Sequence, residues 1–339
     1  MLGPNRHFSP VCVRAMTVLV LAMFLLTSLS FFASHTKSGS AVKVAMAARD
    51  GRTDYFEALS YGDFNMDGDP EFVTSSAAQG LVRVWVNDNG DLGSPPPVGN
   101  IGAITRGLVT ADMNQDGWPD FVLGSQNGEI GIGNNFKNGT YNITIIDTAP
   151  AGIASLGVAD IDLDGDLDIV AAGTGGALRV VENKGGGVFS GSDVLTIPSG
   201  GATVLRLADM NLDGKTDAVI ATDTGAVYIA LGTGGLTFGP ATSIGQTASG
   251  SIVEMKLADV ERDGDVDIIT GDASGKVYLF KNNRGSYSKT LIGSYTTAVT
   301  AMETTDLDYD GDQDILVGSE TNLSFIRPFR SLCQKYGED

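Results

Sequence analysis

The 339 residues carry 41 Asp and Glu against 22 Lys and Arg, a formal net charge of −19. That balance excludes a nucleic-acid binder, a partner that calls for a basic face. With 45 Gly and only 7% aromatics, the composition suits short strands and tight turns rather than long helices.

The chain opens with a basic stretch holding Arg6, His7 and Arg14, followed by the apolar run 15–33 and then Lys37. A charged start, an apolar run and small residues beyond it describe a secretory signal. Nineteen apolar residues also nearly span a bilayer, so an uncleaved membrane anchor through residues 15–33 is the other reading. Both readings send the rest of the chain out of the cytoplasm, as a secreted or N-terminally anchored extracellular protein. Residues 1–40 are therefore leader and linker. Cys12 falls in the leader, and Cys333 in the tail 331–339. Without a second cysteine in the mature chain no internal disulfide forms, and Cys333 is either an inert thiol, which is favoured, or an intermolecular link.

From residue 41 the sequence repeats. A nine-residue acidic stretch begins at Asp63, Asp112, Asp160, Asp209, Asp259 and Asp306, with successive copies 47 to 50 residues apart. A period near fifty marks a repeat architecture. After each acidic stretch comes a continuous apolar strand (EFVTSS, DFVLGS, DIVAAG, DAVIAT, DIITGD, DILVGS), a Gly or Asn turn, an alternating strand and a further strand. With the strand leading into each acidic stretch this makes four short antiparallel strands per unit and no helix signal. Four strands at this period describe a propeller blade. Residues 41–330 hold six units, so the expected fold is an all-β, six-bladed β-propeller. The sixth unit lacks its outermost strand, and AVKVAMA (41–47) is spare at the other end. That N-terminal strand is expected to complete the last blade and leave no open sheet edge.

The acidic stretches read as loops for a hard cation, with oxygen ligands at alternate positions. Side chains at positions one, three, five and nine and the backbone carbonyl at position seven form the expected ligand set. In the first loop these are Asp63, Asn65, Asp67, Glu71 and the carbonyl of Asp69; in the second, Asp112, Asn114, Asp116, Asp120 and the carbonyl of Trp118. The third offers Asp160, Asp162, Asp164, Asp168 and the carbonyl of Asp166; the fourth, Asp209, Asn211, Asp213, Asp217 and the carbonyl of Lys215. The fifth offers Asp259, Glu261, Asp263, Asp267 and the carbonyl of Asp265; the sixth, Asp306, Asp308, Asp310, Asp314 and the carbonyl of Asp312. Glycine stands at position six of every copy, where the chain must turn sharply. An EF-hand shares this start but needs flanking helices and a Glu at position twelve. Here position twelve is Thr74, Leu123, Ala171, Ile220, Thr270 and Val317, so that reading fails. Six divalent ions would move the net charge from −19 to −7.

Strand, D-x-[DN]-x-D-G-x-x-D loop and strand, six times in register, resembles the FG-GAP/VCBS repeat β-propellers, among them those of integrin α-subunits. The resemblance covers about residues 41–330. It implies calcium on one rim, ligand contacts on the other, and an extracellular or cell-surface setting. Integrin propellers have seven blades and fill only some loops, and no leg or inserted domain is visible here, so integrin-like heterodimers do not follow. The Glu71 and Glu261 variants mark the first and fifth loops as the least regular.

The only histidines are His7 and His35, which removes Ser-His-Asp and Cys-His chemistry from the repeat region. No acid cluster outside the repeated loops stands out as an asymmetric centre, so an enzyme is not expected. The expected role is a calcium-binding recognition or adhesion module for a cell-surface or matrix protein or glycan. The alternative is a polysaccharide-binding or polysaccharide-active exported protein. Trp85 alternates within a strand and reads as core, and Trp118 reads as local packing. Three sequons, at Asn138, Asn142 and Asn322, are candidate glycosylation sites.

Overall fold

The computed structural model describes residues 56–327 apart from 77–79, 89–90, 93–94, 248–249, 308–312 and 320–322. The leader, the expected closing strand 41–47, both cysteines, both histidines, Asp308, Asp310, Asp312 and Asn322 lie outside the described residues. Every described element is a strand. Five four-stranded antiparallel sheets and a sixth of three strands succeed one another along the chain, each a blade. The third blade shows the pattern: Ile153–Ala159 innermost, then Asp168–Gly173, Ala177–Asn183 and, outermost, Phe189–Thr196. The sixth has Val299–Thr305, Asp314–Ser319 and Leu323–Ile326.

The second strand of each blade begins at position nine of the acidic loop. It is buried throughout in the first five blades. The reason is the stacking of blades: both faces of this strand meet a neighbour, so alternation gives way to a continuous apolar run. Between blades two and three, for example, Val122, Ile130 and Ile132 pack against Ile153, Leu156, Ile169 and Val181. Each such fully buried aliphatic side chain contributes roughly 1.5–3 kcal/mol. Similar cores fill the other described seams. Trp85 lies in this interior, 7% exposed, with its indole N–H donated to Thr74 Oγ1 at 2.8 Å. One glycine is set by packing: a Cβ on Gly133 would stand 2.0 Å from the Phe121 ring.

The innermost strands share one irregularity. Each has a register shift at its second residue, from Phe56/Ala58 in the first blade to Val299/Ala301 in the last. A bulge of this kind bends a strand and re-aims its side chains, here at the axis of the disc.

Candidate metal loops and central channel

Each acidic loop is organised by its own carboxylates. At position one, the two oxygens accept the amide hydrogens of positions five and six; Asp160 takes them from Asp164 at 3.1 Å and Gly165 at 3.0 Å. At position five, Asp164 accepts the N–H of Asp166 at 2.9 Å. The same bonds recur in loops one, two, four and five. The chain turns inward twice. Position four sits in the left-handed region without being glycine (Met66, Gln115, Leu163, Leu212, Arg262, φ 58 to 65°), and the position-six glycines of the five described loops have φ of 82 to 98°. Glycine removes the steric cost at the second of these turns.

Position nine has a different character. Glu71, Asp120, Asp168, Asp217 and Asp267 are all 0% exposed. Asp168 accepts the N–H of Ile161 at 3.1 Å and, from the third strand, that of Asn183 at 2.8 Å. Asp120, Asp217 and Asp267 repeat this arrangement. Burial, only partly offset by these amide bonds, pushes Asp120 and Asp168 up to about 6 and Glu71 up to about 7. Asp217 and Asp267 are raised for the same reason. A bound divalent cation would reverse that logic by favouring the ionised form.

The loops differ at position three. Asn65, Asn114 and Asn211 accept the N–H of position five. Asp162 instead leaves one buried oxygen with no hydrogen-bond partner. One oxygen from each of Asp160, Asp162 and Asp168 lies within 4.8 Å of the other two. Burial, then the charges of Asp164, Asp160 and Glu182, raise the Asp162 pKa. An orphaned carboxylate oxygen among all-oxygen donors suits a hard divalent cation, and the third-loop residues fit such an ion.

A repeated asparagine escaped the reading of the sequence. Asn135, Asn183 and Asn282 end the third strands of blades two, three and five, fifteen residues after position nine. Each donates its side-chain amide to the position-two carbonyl of the preceding blade: Asn135 to Phe64, Asn183 to Met113, Asn282 to Met210, at 2.9 to 3.0 Å. Each also donates to position eight of its own loop. The acidic loops of neighbouring blades are thereby joined at one end of the disc, where Gln115 also reaches Gly165 O and Asp166 at 2.6 and 2.7 Å. In blade four Gly232 takes the asparagine's place. An added hairpin, Gly232–Gly235 with Thr237–Phe238, places Phe238 in the core between blades three and four.

The innermost strands of all six blades line a central channel of about 810 Å³. Its wall is lopsided. Blades one to three contribute mostly small residues, Ala58, Ser60, Gly107, Ala154, Ser155 and Gly157, together with one cation, Arg106. On the other side Arg206 pairs with Glu254 at 2.9 Å and Lys256 with Glu303 at 3.0 Å, each pair bridging two blades. This asymmetry lies outside the repeated loops, in strands where the sequence pattern showed none.

The repeat now has a structural definition: an acidic loop and a buried strand, with an asparagine in blades two, three and five that returns to the previous loop. Models of the FG-GAP-like repeat match five overlapping segments, 63–123, 112–171, 160–220, 209–270 and 259–317. The chain belongs to the FG-GAP-like repeat family. No curated protein matches it significantly. Among solved structures, BBS1N in its complex with ARL6DN superposes with a TM-score of 0.57 at 17% identity, covering 82% of this chain and 79% of that one. An Agrocybe aegerita lectin, described as recognising non-reducing terminal N-acetylglucosamine, superposes at 0.52 with 20% identity, covering 78% and 71%. At such identities the likeness concerns the fold alone.

At the other end of this FG-GAP-like propeller, the turns between second and third strands are closed by their own side chains. Ser125 Oγ accepts the amides of Asn127 and Glu129, and Asp272 those of Ser274 and Lys276. Asn138 and Asn142 are exposed in and beside the last hairpin of blade two. Trp118 is half-buried beside its loop glycine.

Proposed function

We propose that this FG-GAP-like propeller is a calcium-stapled recognition module working outside the cytoplasm, as a secreted or N-terminally anchored protein. The observation that carries the metal reading is the third loop, where Asp160, Asp162 and Asp168 converge and one Asp162 oxygen has no partner. Calcium would supply charge neutralisation there and in the loops of like sequence, including the sixth, whose Asp308, Asp310 and Asp312 complete the pattern. Metal held only by the folded chain stabilises it by linkage. Extracellular modules of this kind bind with dissociation constants of roughly 10⁻⁴ to 10⁻³ M. The partner would be a surface or matrix protein or a glycan, met by the end of the disc away from the acidic loops.

We infer binding rather than turnover. The loop acids are engaged by backbone amides, and the channel carboxylates Glu254 and Glu303 are held in ion pairs with Arg206 and Lys256. A second reading, glycan recognition, is favoured by the fold shared with the Agrocybe aegerita lectin. A panel of glycans and matrix proteins, assayed in calcium and in EDTA with product analysis of every hit, tests both. Calcium-dependent capture without product supports the module. Release of cleaved glycan overturns it in favour of a polysaccharide-active protein.

A further inference from the structure

In blades three and five the residue just before the locking asparagine is charged and acts on position three of its own loop, with opposite sign in the two blades. In blade three it is Glu182, whose negative charge bears on Asp162. In blade five it is Lys281, whose ammonium is paired directly with Glu261 Oε1. The other Glu261 oxygen is buried and has no hydrogen-bond partner. Lys281 also acts electrostatically on Asp263.

We propose that Lys281 is a built-in cation that takes the place of calcium in the fifth loop. This rests on the calcium reading of the other loops. A hard cation binds where carboxylates converge without a counter-charge; an ammonium already among them supplies the neutralisation and repels a second cation. The whole neighbourhood follows this division. Around the third loop stand five aspartates and Glu182; Lys184, about as exposed as Lys281, is paired with Glu182 at 3.1 Å rather than with position three. The fifth loop has Arg262 at position four, Lys281 on Glu261, and Arg284, whose backbone N–H bonds Asp265 at 3.0 Å. Lysine elsewhere is placed differently. Lys137 in blade two and Lys215 in blade four reach the outward oxygen of position five, at 3.3 and 3.4 Å, and leave position three alone. Blade five is thus the described blade in which position three itself is paired with a cationic side chain. Asp259, Asp263 and Asp267 keep the backbone hydrogen bonds of the other loops, so the loop's frame is intact and the site is latent.

The test counts ions. Calcium bound at saturation is measured by equilibrium dialysis for the full protein and for Lys281→Met, Lys281→Arg and Glu261→Gln. Lys281→Met should bind one more calcium per chain than the parent, and its melting temperature should become more sensitive to EDTA. Lys281→Arg should match the parent. Glu261→Gln, which keeps the ammonium, should also bind the parent's number. An unchanged count in Lys281→Met, or one ion lost in Glu261→Gln, overturns the proposal while leaving the calcium reading intact. A parent that binds no calcium at all overturns both. Should Lys281→Met fold only in calcium, its dependence on the ion supports the proposal, and Glu261→Gln still decides it independently.

Discussion

The acidic end of the disc and its central channel are built from the same blades by opposite rules. At the acidic end, every described loop repeats the same hydrogen bonds from positions one, five and nine. In the channel, equivalent positions diverge: Ser60, Val109 and Gly157 in the first three blades become Arg206, Lys256 and Glu303 in the last three. Repetition is what a fold-maintaining device looks like, since each blade meets the same neighbour problem. Divergence at a fixed position shows that the constraint there is local to particular blades.

Position nine should show the largest effect. Asp168→Ala leaves two buried amide hydrogens without an acceptor and should cost about 3 kcal/mol or more in urea unfolding, with or without calcium. Asp162→Ala should be costly only in calcium. Equal losses for the two in EDTA would remove the distinction between a ligand that also clamps the backbone and one that only faces the metal. Next in size is the effect of metal and pH together. Burial raises Glu71 from 4.5 to about 7 and Asp120 and Asp168 from 3.8 to about 6. In the metal-free chain the folded state therefore holds more protons than the unfolded one between roughly pH 4 and 7. Stability should fall as pH rises through that window. On the proposed reading calcium is held by the ionised loops, so the melting-temperature rise it gives should be larger at pH 7.5 than at pH 4.5. An equal rise at both would count against the burial argument.

Smaller effects sharpen the seams. Asn183→Ala removes an inter-blade amide bond and leaves the Met113 and Leu167 carbonyls unpaired, for about 2 kcal/mol. Denaturant unfolding should show this loss independent of calcium. In the channel, a double-mutant cycle on Lys256→Met and Glu303→Gln should return a coupling of about 1 kcal/mol, from side chains 10% and 22% exposed. No coupling would make the channel pair incidental.

Much of this was legible in the sequence because the repeat fixes register: six acidic loops place the strands that follow them, and a run such as DIVAAG reads as buried on both faces. The third-loop carboxylates were also legible, being local in sequence. What escaped depends on a neighbouring blade. Asn183 looks like a strand-end turn residue until Met113 of the previous loop is seen beneath it. Lys281 looks like a solvated lysine until the antiparallel pairing places it beside Glu261. The channel pairs were hidden because alternation along Ala202–Ala208 and Ile252–Ala258 does not say which face meets the lumen.

The asparagine bonds run in one direction along the chain. Asn135, Asn183 and Asn282 each reach back 70 to 72 residues to a loop already made, and none of these bonds waits for a later blade. During synthesis, each of these blades can therefore dock as it emerges, onto a finished predecessor. These seams can close in chain order, each after a short and nearly constant stretch of newly made chain.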